Sequence, residues 1–405
     1  MSKKPKPDVT LVSRIFAPEP AAASFRLEAL VKALIAGGKK VNVLTTIPAP
    51  GTNRTAKASV ENQPDSGNLL KVRRVQAKRD KTGYIRGYLS YISFDIPGFF
   101  RLLLAPAPRV YVVEPPPTSG SIVRMVATLK RRPYVYYAAD VWSDAAASMQ
   151  VSGLVVRVLR GVERFAMRGA ACVLTVTPEF AGRAKALGAR RVAVVQNGID
   201  TDVFCDTGPE PQPLAGMTRQ DVSESDWLVY AGTASEWQGA EVFVDAFAQV
   251  APDFPAAKLL FLGQGSAWPT LQEHAARIAP GKVFFGKTDP GQAADWQRLA
   301  RAALVSIREG VGNQDAYPTK VFAALACETP VIYAGPGPAA ADIADNGLGA
   351  AVPWDTNAVA TVMRELLTGQ RQFVDLRKWV LDYHSLVTVG EKAATVVLSA
   401  TRKAR

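Results

Sequence analysis

The stretch Pro318-Thr319-Lys320-Val321-Phe322-Ala323-Ala324-Leu325-Ala326-Cys327-Glu328-Thr329-Pro330-Val331-Ile332 reads as a loop that feeds a short helix and then a buried strand. Proline starts a helix well, and Val321, Phe322 and Leu325 share one apolar face, which leaves Lys320 at the helix mouth. A helix N-terminus presents free N–H groups and partial positive charge, so with a lysine beside it the segment predicts a seat for a phosphate or diphosphate. An ordinary loop, helix and strand crossover of an α/β sheet would use the same pattern.

The flanking sequence repeats that rhythm. In the first half a strand at Val9 to Val12 leads through Phe16-Ala17-Pro18-Glu19-Pro20-Ala21-Ala22-Ala23-Ser24 into a helix. Leu27, Leu30, Val31, Leu34 and Ile35 recur at i, i+3, i+4, i+7 and i+8, and Gly37-Gly38 stops the helix. The strand Val41 to Thr46 completes a βαβ unit. Further buried strands are expected at Val110 to Val113, Tyr134 to Ala138, Cys172 to Val176 and Val192 to Val195. The second half restarts at Leu228 to Ala231 and continues with Lys258 to Leu262, Val283 to Phe285, Leu304 to Ile307 and Val331 to Tyr333. Two doubly wound, Rossmann-like α/β domains are therefore expected: residues 1–205, a linker over 206–226 where Thr-Gly-Pro-Glu-Pro-Gln-Pro-Leu disfavours packed structure, residues 227–385, and a terminal helical segment over 386–405.

Composition supports two cores, since 405 residues with 48% hydrophobic content exceed what one domain usually holds. No run of 18 apolar residues occurs, and Met1 to Asp8 is basic and carries proline without an apolar signal core, which predicts a cytoplasmic chain that does not span a membrane. Cys172, Cys205 and Cys327 lie far apart, and His274 and His384 are the only histidines, so structural zinc, a disulfide framework and a Cys-His nucleophile are not expected. The net charge of +12 is uneven, because between Lys71 and Arg101 eight Lys or Arg face two Asp. Tyr84, Tyr88, Tyr91, Phe94, Phe99 and Phe100 are interleaved there. That mixture suits the surface of an anionic membrane; it is also the footprint of a single-strand nucleic-acid binder, or of a solvated face over a core helix.

In open α/β sheets ligands gather beyond the carboxyl ends of the strands. Gly232-Thr233 follows the first strand of the second half, and Gly263-Gln264-Gly265 follows the next, so both bring bare backbone to one edge. Asn197-Gly198-Ile199-Asp200 follows a first-half strand, where Asn-Gly favours a turn with positive φ. Glu309-Gly310-Val311-Gly312 and Asp315 precede the opening segment.

Taken in this order, the chain resembles the retaining glycosyltransferases of family 4, in particular a bacterial subgroup acting on surface polysaccharide or lipid-linked sugars. The matching pieces are Ala22 to Thr46, Val194-Val195-Gln196-Asn197-Gly198-Ile199-Asp200 with Phe204, Leu262-Gly263-Gln264-Gly265, and Pro318 to Val331. The resemblance implies a GT-B fold, two Rossmann-like domains facing across a cleft, with a nucleotide sugar on the C-terminal domain and the acceptor on the N-terminal domain. It implies no metal and no cofactor beyond the nucleotide sugar as co-substrate, UDP being the usual carrier. A glycan or lipid-linked acceptor, and no nucleic-acid partner, go with it.

Residue by residue, the family's first acid aligns with Asp315 and its ribose carboxylate with Ala323; Glu309 is the rival for the first position. The positions of the usual Arg and Lys of the diphosphate clamp read Thr233 and Gln238. The donor role then falls to Gly232, Thr233, Gly263, Gly265, Pro318, Thr319 and above all Lys320. Glu328 replaces a customary glycine and would put negative charge near the anion site if it points inward. On the acceptor side, Asp140-Val141-Trp142 resembles the subgroup's Asp-x-Trp, and Ala23, Arg26 and Asn197 could meet a donor phosphate or an anionic acceptor. With so many charged ligands replaced, a non-catalytic sugar-binding or scaffold protein is the alternative.

Overall fold

The computed structural model describes residues 6–19, 21–49, 60, 67–80, 85, 87–139, 142–143, 152–310, 316–373 and 375–402. The chain divides into two compact units, one of Met1–Asn197 with Leu386–Arg405 and one of Gly198–Ser385. Asp140, Asp315 and Tyr84 lie outside the described residues.

The first unit runs β1 (Val9–Val12), α1 (Ala22–Ala36), β2 (Val41–Thr46), β3 (Leu70–Val75), α2 (Tyr88–Leu104), β4 (Val110–Val113), α3 (Pro117–Leu129), β5 (Tyr134–Ala138), α4 (Gly153–Arg168), β6 (Cys172–Thr175), α5 (Pro178–Ala186) and β7 (Val192–Val194). All seven strands are parallel in the order β3-β2-β1-β4-β5-β6-β7. The apolar runs of β1, β4 and β5 are buried along their whole length, as a parallel sheet covered on both faces requires. Strand β3, Leu-Lys-Val-Arg-Arg-Val, was not expected, because an edge strand tolerates the charges that hide its pattern.

The stretch from Lys71 to Arg101 is consequently split between an edge strand and a helix. Arg74 donates to the Ala17 carbonyl at 2.9 Å, and Arg79 pairs with Glu19 at 2.5 Å. Phe94 is buried and Phe100 exposed.

The second unit runs α6 (Arg219–Ser223), β8 (Asp226–Thr233), a 3-10 turn at Glu236–Gln238, α7 (Glu241–Val250), β9 (Ala257–Gln264), α8 (Trp268–Ile278), β10 (Val283–Gly286), α9 (Pro290–Leu299), β11 (Ala302–Ser306), α10 (Thr319–Ala326), β12 (Val331–Ala334), α11 (Pro338–Asp345), β13 (Gly349–Val352), α12 (Thr356–Leu367) and α13 (Leu376–Tyr383). Its parallel sheet has the order β10-β9-β8-β11-β12-β13. The division at Asn197 and Gly198 falls earlier than the expected boundary, and residues 206–226 belong to this unit. There Val222 is buried, Leu214 and Met217 pack beside Trp227 and Trp296, and Trp227 Nε1 donates to the Val222 carbonyl at 3.1 Å. A capping box of Thr218 and Asp221 supplies order that the proline-rich composition obscures.

Gly198 also differs from expectation. It is absent from the glycines with positive φ, and a Cβ there would meet the His384 carbonyl oxygen at 2.7 Å, so the position needs glycine for closeness. The neighbouring Ile199 N–H donates to that same carbonyl at 2.8 Å.

The chain then re-enters the first unit as α14 (Leu386–Arg402), whose Val389, Ala393 and Val397 join the core beneath α1. At Gly390 an added Cβ would stand 2.5 Å from the Ala29 carbonyl oxygen. Gly390→Val should force the two helices apart and lower stability by about 1–3 kcal/mol, the usual cost of overpacking, measured by urea unfolding. Glu328, at φ 59, points its carboxylate at the start of α13, accepting from Leu376 N–H and Arg377 N–H at 2.9 Å each. Glu328→Ala should cost about 1 kcal/mol in the same assay, as loss of a helix cap does, and leave nucleotide binding unchanged.

Candidate functional site

The carboxyl ends of β8 and β9 run side by side, with Gly232 opposite Gly263 and Thr233 opposite Gln264. At Gly263, φ is 132° and a Cβ would come within 2.4 Å of the Gly232 carbonyl oxygen, so only glycine lets the two loops close on each other. Gly265 sits equally tightly against Ala234. Into this corner points Lys320, from the first turn of α10. Its Nζ donates to Tyr230 Oη at 2.7 Å and to the Thr233 carbonyl at 3.0 Å, and it lies 3.9 Å from the Tyr230 ring centroid. Tyr230 Oη in turn donates to the Thr233 carbonyl at 2.9 Å.

Among the described residues no carboxylate offsets the desolvation of this ammonium, and burial lowers its pKa to about 7. Pro318 is the N-cap of α10 at φ −69 and accepts from Val321 N–H at 3.1 Å; among the described residues no side chain caps the turn, which leaves the Thr319 and Lys320 N–H groups beside the Lys320 side chain. A desolvated lysine, uncapped N–H groups and two glycine loops together make an anion seat.

Of the expected donor residues, Gly232, Thr233, Gly263, Gly265, Pro318, Thr319 and Lys320 come to this edge. Gln238 does not replace a clamp cation: it is buried, and its Oε1 accepts from Ser235 N–H at 2.8 Å, which folds the loop after β8. Glu236 then accepts from Ser266 Oγ at 2.7 Å, tying the β8 loop to the β9 loop, and that hydrogen bond holds its carboxyl below the usual range. Ala323 is buried on α10. Glu328 stands at the opposite end of α10, roughly 12 Å along the axis from Lys320 at 1.5 Å per residue, so its charge is turned away from the anion seat. Glu309 occupies an exposed turn after β11. Tyr230 was not anticipated, because a tyrosine inside a hydrophobic strand reads as core.

Two grooves adjoin this edge. One of about 330 Å³ is lined by Leu214, Trp268, Phe285, Gly286 and Lys287, an apolar and aromatic setting at the carboxyl end of β10. The other, about 690 Å³, has Glu236, Glu241, Asp245 and Glu273 facing Arg277 and Arg308, and its acids make it a poor diphosphate seat.

In the first unit the carboxyl edge of the sheet holds a buried charge cluster. Arg26, from α1, pairs with Glu114 Oε1 at 2.5 Å, donates to Asn197 Oδ1 at 3.1 Å and lies over the Tyr137 ring. Glu114, at the end of β4, also accepts from Ser13 Oγ at 2.9 Å. Burial raises the Glu114 carboxyl, and Arg26 opposes that shift. Arg26 and Asn197 are thus brought together, with Arg26 an internal partner; Ala23 is half-buried in the first turn of α1. Arg14 packs its guanidinium 4.2 Å from the Tyr91 ring centroid and 5.7 Å from that of Trp142, whose own backbone N–H donates to Glu163. Glu114 and Arg14 escaped the sequence reading; the signal available was a polar residue directly after a fully apolar strand.

Residues 22–198 match the model of the glycosyl transferase 4-like domain, and residues 225–369 that of glycosyl transferases group 1. A D-inositol 3-phosphate glycosyltransferase of Jonesia denitrificans is 30% identical over 173 residues, 40% of this chain and 40% of that relative, so the aligned part spans less than half of the curated protein. Among solved structures, sucrose-phosphate synthase from Thermosynechococcus elongatus superposes with a TM-score of 0.63 at 17% identity, over 98% of this chain and 96% of that one. Anabaena HepE, solved in complex with UDP, gives 0.67 at 14% identity, over 97% of this chain and 100% of that one. With both of its sheet units matched in order, the chain belongs to the glycosyltransferases of GT-B fold, a glycosyl transferase 4-like domain followed by a glycosyl transferases group 1 domain.

Proposed function

We propose that the protein transfers a sugar from a nucleoside diphosphate sugar, with UDP the favoured carrier, to a hydroxyl of a cell-surface glycan or lipid-linked acceptor, with retention and without a metal, in the cytoplasm at the inner face of the membrane. The observation that carries the donor side of this reading is Lys320, a desolvated cation at an uncapped helix N-terminus, set against the glycine loops of β8 and β9. Departure of a diphosphate is the costly part of glycosyl transfer, and fixed N–H dipoles with a lysine stabilise the charge that develops. The complex of the similar HepE with UDP supports the choice of carrier.

On this reading the acceptor oxygen enters on the face from which the diphosphate leaves, and binding both reactants in one geometry supplies much of the rate. Asp315 is the acid assigned to the sugar and Asp140 the acid assigned to the acceptor. Glu309 is the substitute for Asp315 if the loop before Pro318 aligns differently.

UDP at 100 times its dissociation constant should stabilise the protein by about 2.7 kcal/mol in a thermal-shift assay, and Lys320→Ala should abolish that shift. No shift with any nucleotide would sink the donor-site reading, and binding without turnover on any acceptor would leave a nucleotide-sugar-binding protein. Titration of Lys320 adds a second check. With a free-state pKa of about 7, the ammonium is already charged below that pH and must capture a proton on binding above it. Affinity for a UDP-sugar, whose diphosphate has no group titrating near neutrality, should therefore be flat below pH 7 and fall above it by up to about tenfold per pH unit, with proton uptake visible by calorimetry in buffers of different ionisation enthalpy. A pH-independent affinity up to pH 9 would contradict the role given to Lys320.

A further inference from the structure

Helices α2, α3 and α4 pack side by side over one face of the first sheet. Their inward residues, among them Phe94, Leu102, Val123, Val126 and Met167, are buried there. The opposite side of such a helix is ordinarily polar. On α2 it is apolar: Leu89, Ile92, Ile96, Phe100 and Leu104 are all exposed, Leu89 by 72% and Leu104 by 85%. At 100° per residue these five fall within roughly a 120° arc along a helix about 26 Å long. On α4, Leu154, Val158 and Phe165 are exposed within an arc of about 40°. Between the helices runs a groove of about 530 Å³ lined by Ile92, Ile96, Ile122, Val158, Val162 and Phe165.

The charges follow the same geometry. Arg157, Arg160, Arg164 and Arg168 recur at i, i+3, i+7 and i+11 and form one exposed row beside the apolar stripe of α4. Arg101 is exposed on α2. The acids of these three helices are both buried: Glu163 accepts from the Trp142 and Ser143 N–H groups, and Asp95, which lines the groove, accepts from Ser119 Oγ. Among the described residues the exposed charge of the three helices is therefore of one sign.

We propose that the outer face of α2, α3 and α4 docks on an anionic lipid bilayer, its apolar stripes entering the headgroup and acyl boundary and the arginine row meeting lipid phosphates. A second copy of the chain is the poorer occupant, since it would bring a like-charged row against this one, whereas an anionic surface supplies complementary charge along its whole length. The proposal deepens the lipid-linked side of the proposed function by naming the surface that would hold the protein at its acceptor. Vesicle binding needs no donor, so the two readings fail separately.

The test is sedimentation of the full chain with vesicles of equimolar phosphatidylglycerol and phosphatidylcholine, against phosphatidylcholine alone. Binding is expected to the anionic vesicles only and to weaken with salt. The doubly substituted Arg157→Gln, Arg164→Gln should bind about thirtyfold more weakly, two cations at about 1 kcal/mol each, and Leu104→Asp, Leu154→Asp should lose binding. Both variants change exposed side chains, and an unaltered urea-unfolding midpoint would show that each is folded. Wild-type protein left in the supernatant with anionic vesicles, or binding indifferent to both variants, would overturn the proposal. So would a dimer in light scattering that Leu104→Asp, Leu154→Asp dissociates, since the face would then cover a second copy.

Discussion

The second unit is organised around one close approach, that of the β8 and β9 carboxyl ends through Gly232 and Gly263. With side chains there the two loops would stand apart, and the Thr233 carbonyl would not be available to Lys320. The geometry leaves a half-buried lysine held by one hydroxyl and one carbonyl, both neutral. A cation so placed gains more from an arriving dianion than an exposed lysine would, because the electrostatic attraction is less screened. The same desolvation that lowers its pKa readies it for the ligand. On the proposed reading a lone lysine at the start of α10 would do on this fold what a pair of clamp cations does where Arg and Lys follow the first strand.

The first unit treats charge in the opposite way. Arg26 and Glu114 are spent on each other, with Ser13 and Asn197 filling the remaining hydrogen-bonding positions. A buried pair of this kind costs several kcal/mol to break and leaves little free charge to offer a ligand. It fixes the ends of β1, β4 and α1 relative to one another, so an acceptor at that edge would meet a rigid floor. The aromatic and cationic layer of Arg14, Tyr91 and Trp142 lies above it.

How far these features were legible depends on whether the residue itself or its surroundings decide. The buried strands β1, β4, β5 and β6 and the α1 stripe of Leu27, Leu30, Val31, Leu34 and Ile35 were legible because hydrophobic period alone sets them. By contrast β7, expected as a buried strand over Val192 to Val195, is an edge strand of Val192–Val194 with Val194 exposed. Lys320 was legible because a helix start after proline leaves little choice of direction. Strand β3 was not, since its lysine and arginines are tolerable only at a sheet edge. Residues 206–226 read as a linker because prolines dominate the composition, while the contacts that fold them, Val222 and Leu214 against Trp227 and Trp296, are distant in sequence. Glu328 shows the same limit: its type announces a charge, and only the position of α13 reveals that two N–H groups receive it. The outward face of α2 was half legible, as cations and rings in the right region, but its apolar stripe and the arginine row of α4 meet only in the folded unit.

The most direct measurement is a crystal structure with UDP bound. The account predicts the diphosphate between the Gly232 and Gly263 loops and the N-terminus of α10, with Lys320 Nζ moved from the Thr233 carbonyl onto a phosphate oxygen. A diphosphate bound elsewhere, or Lys320 still held by Tyr230 and Thr233 with the nucleotide in place, would contradict it.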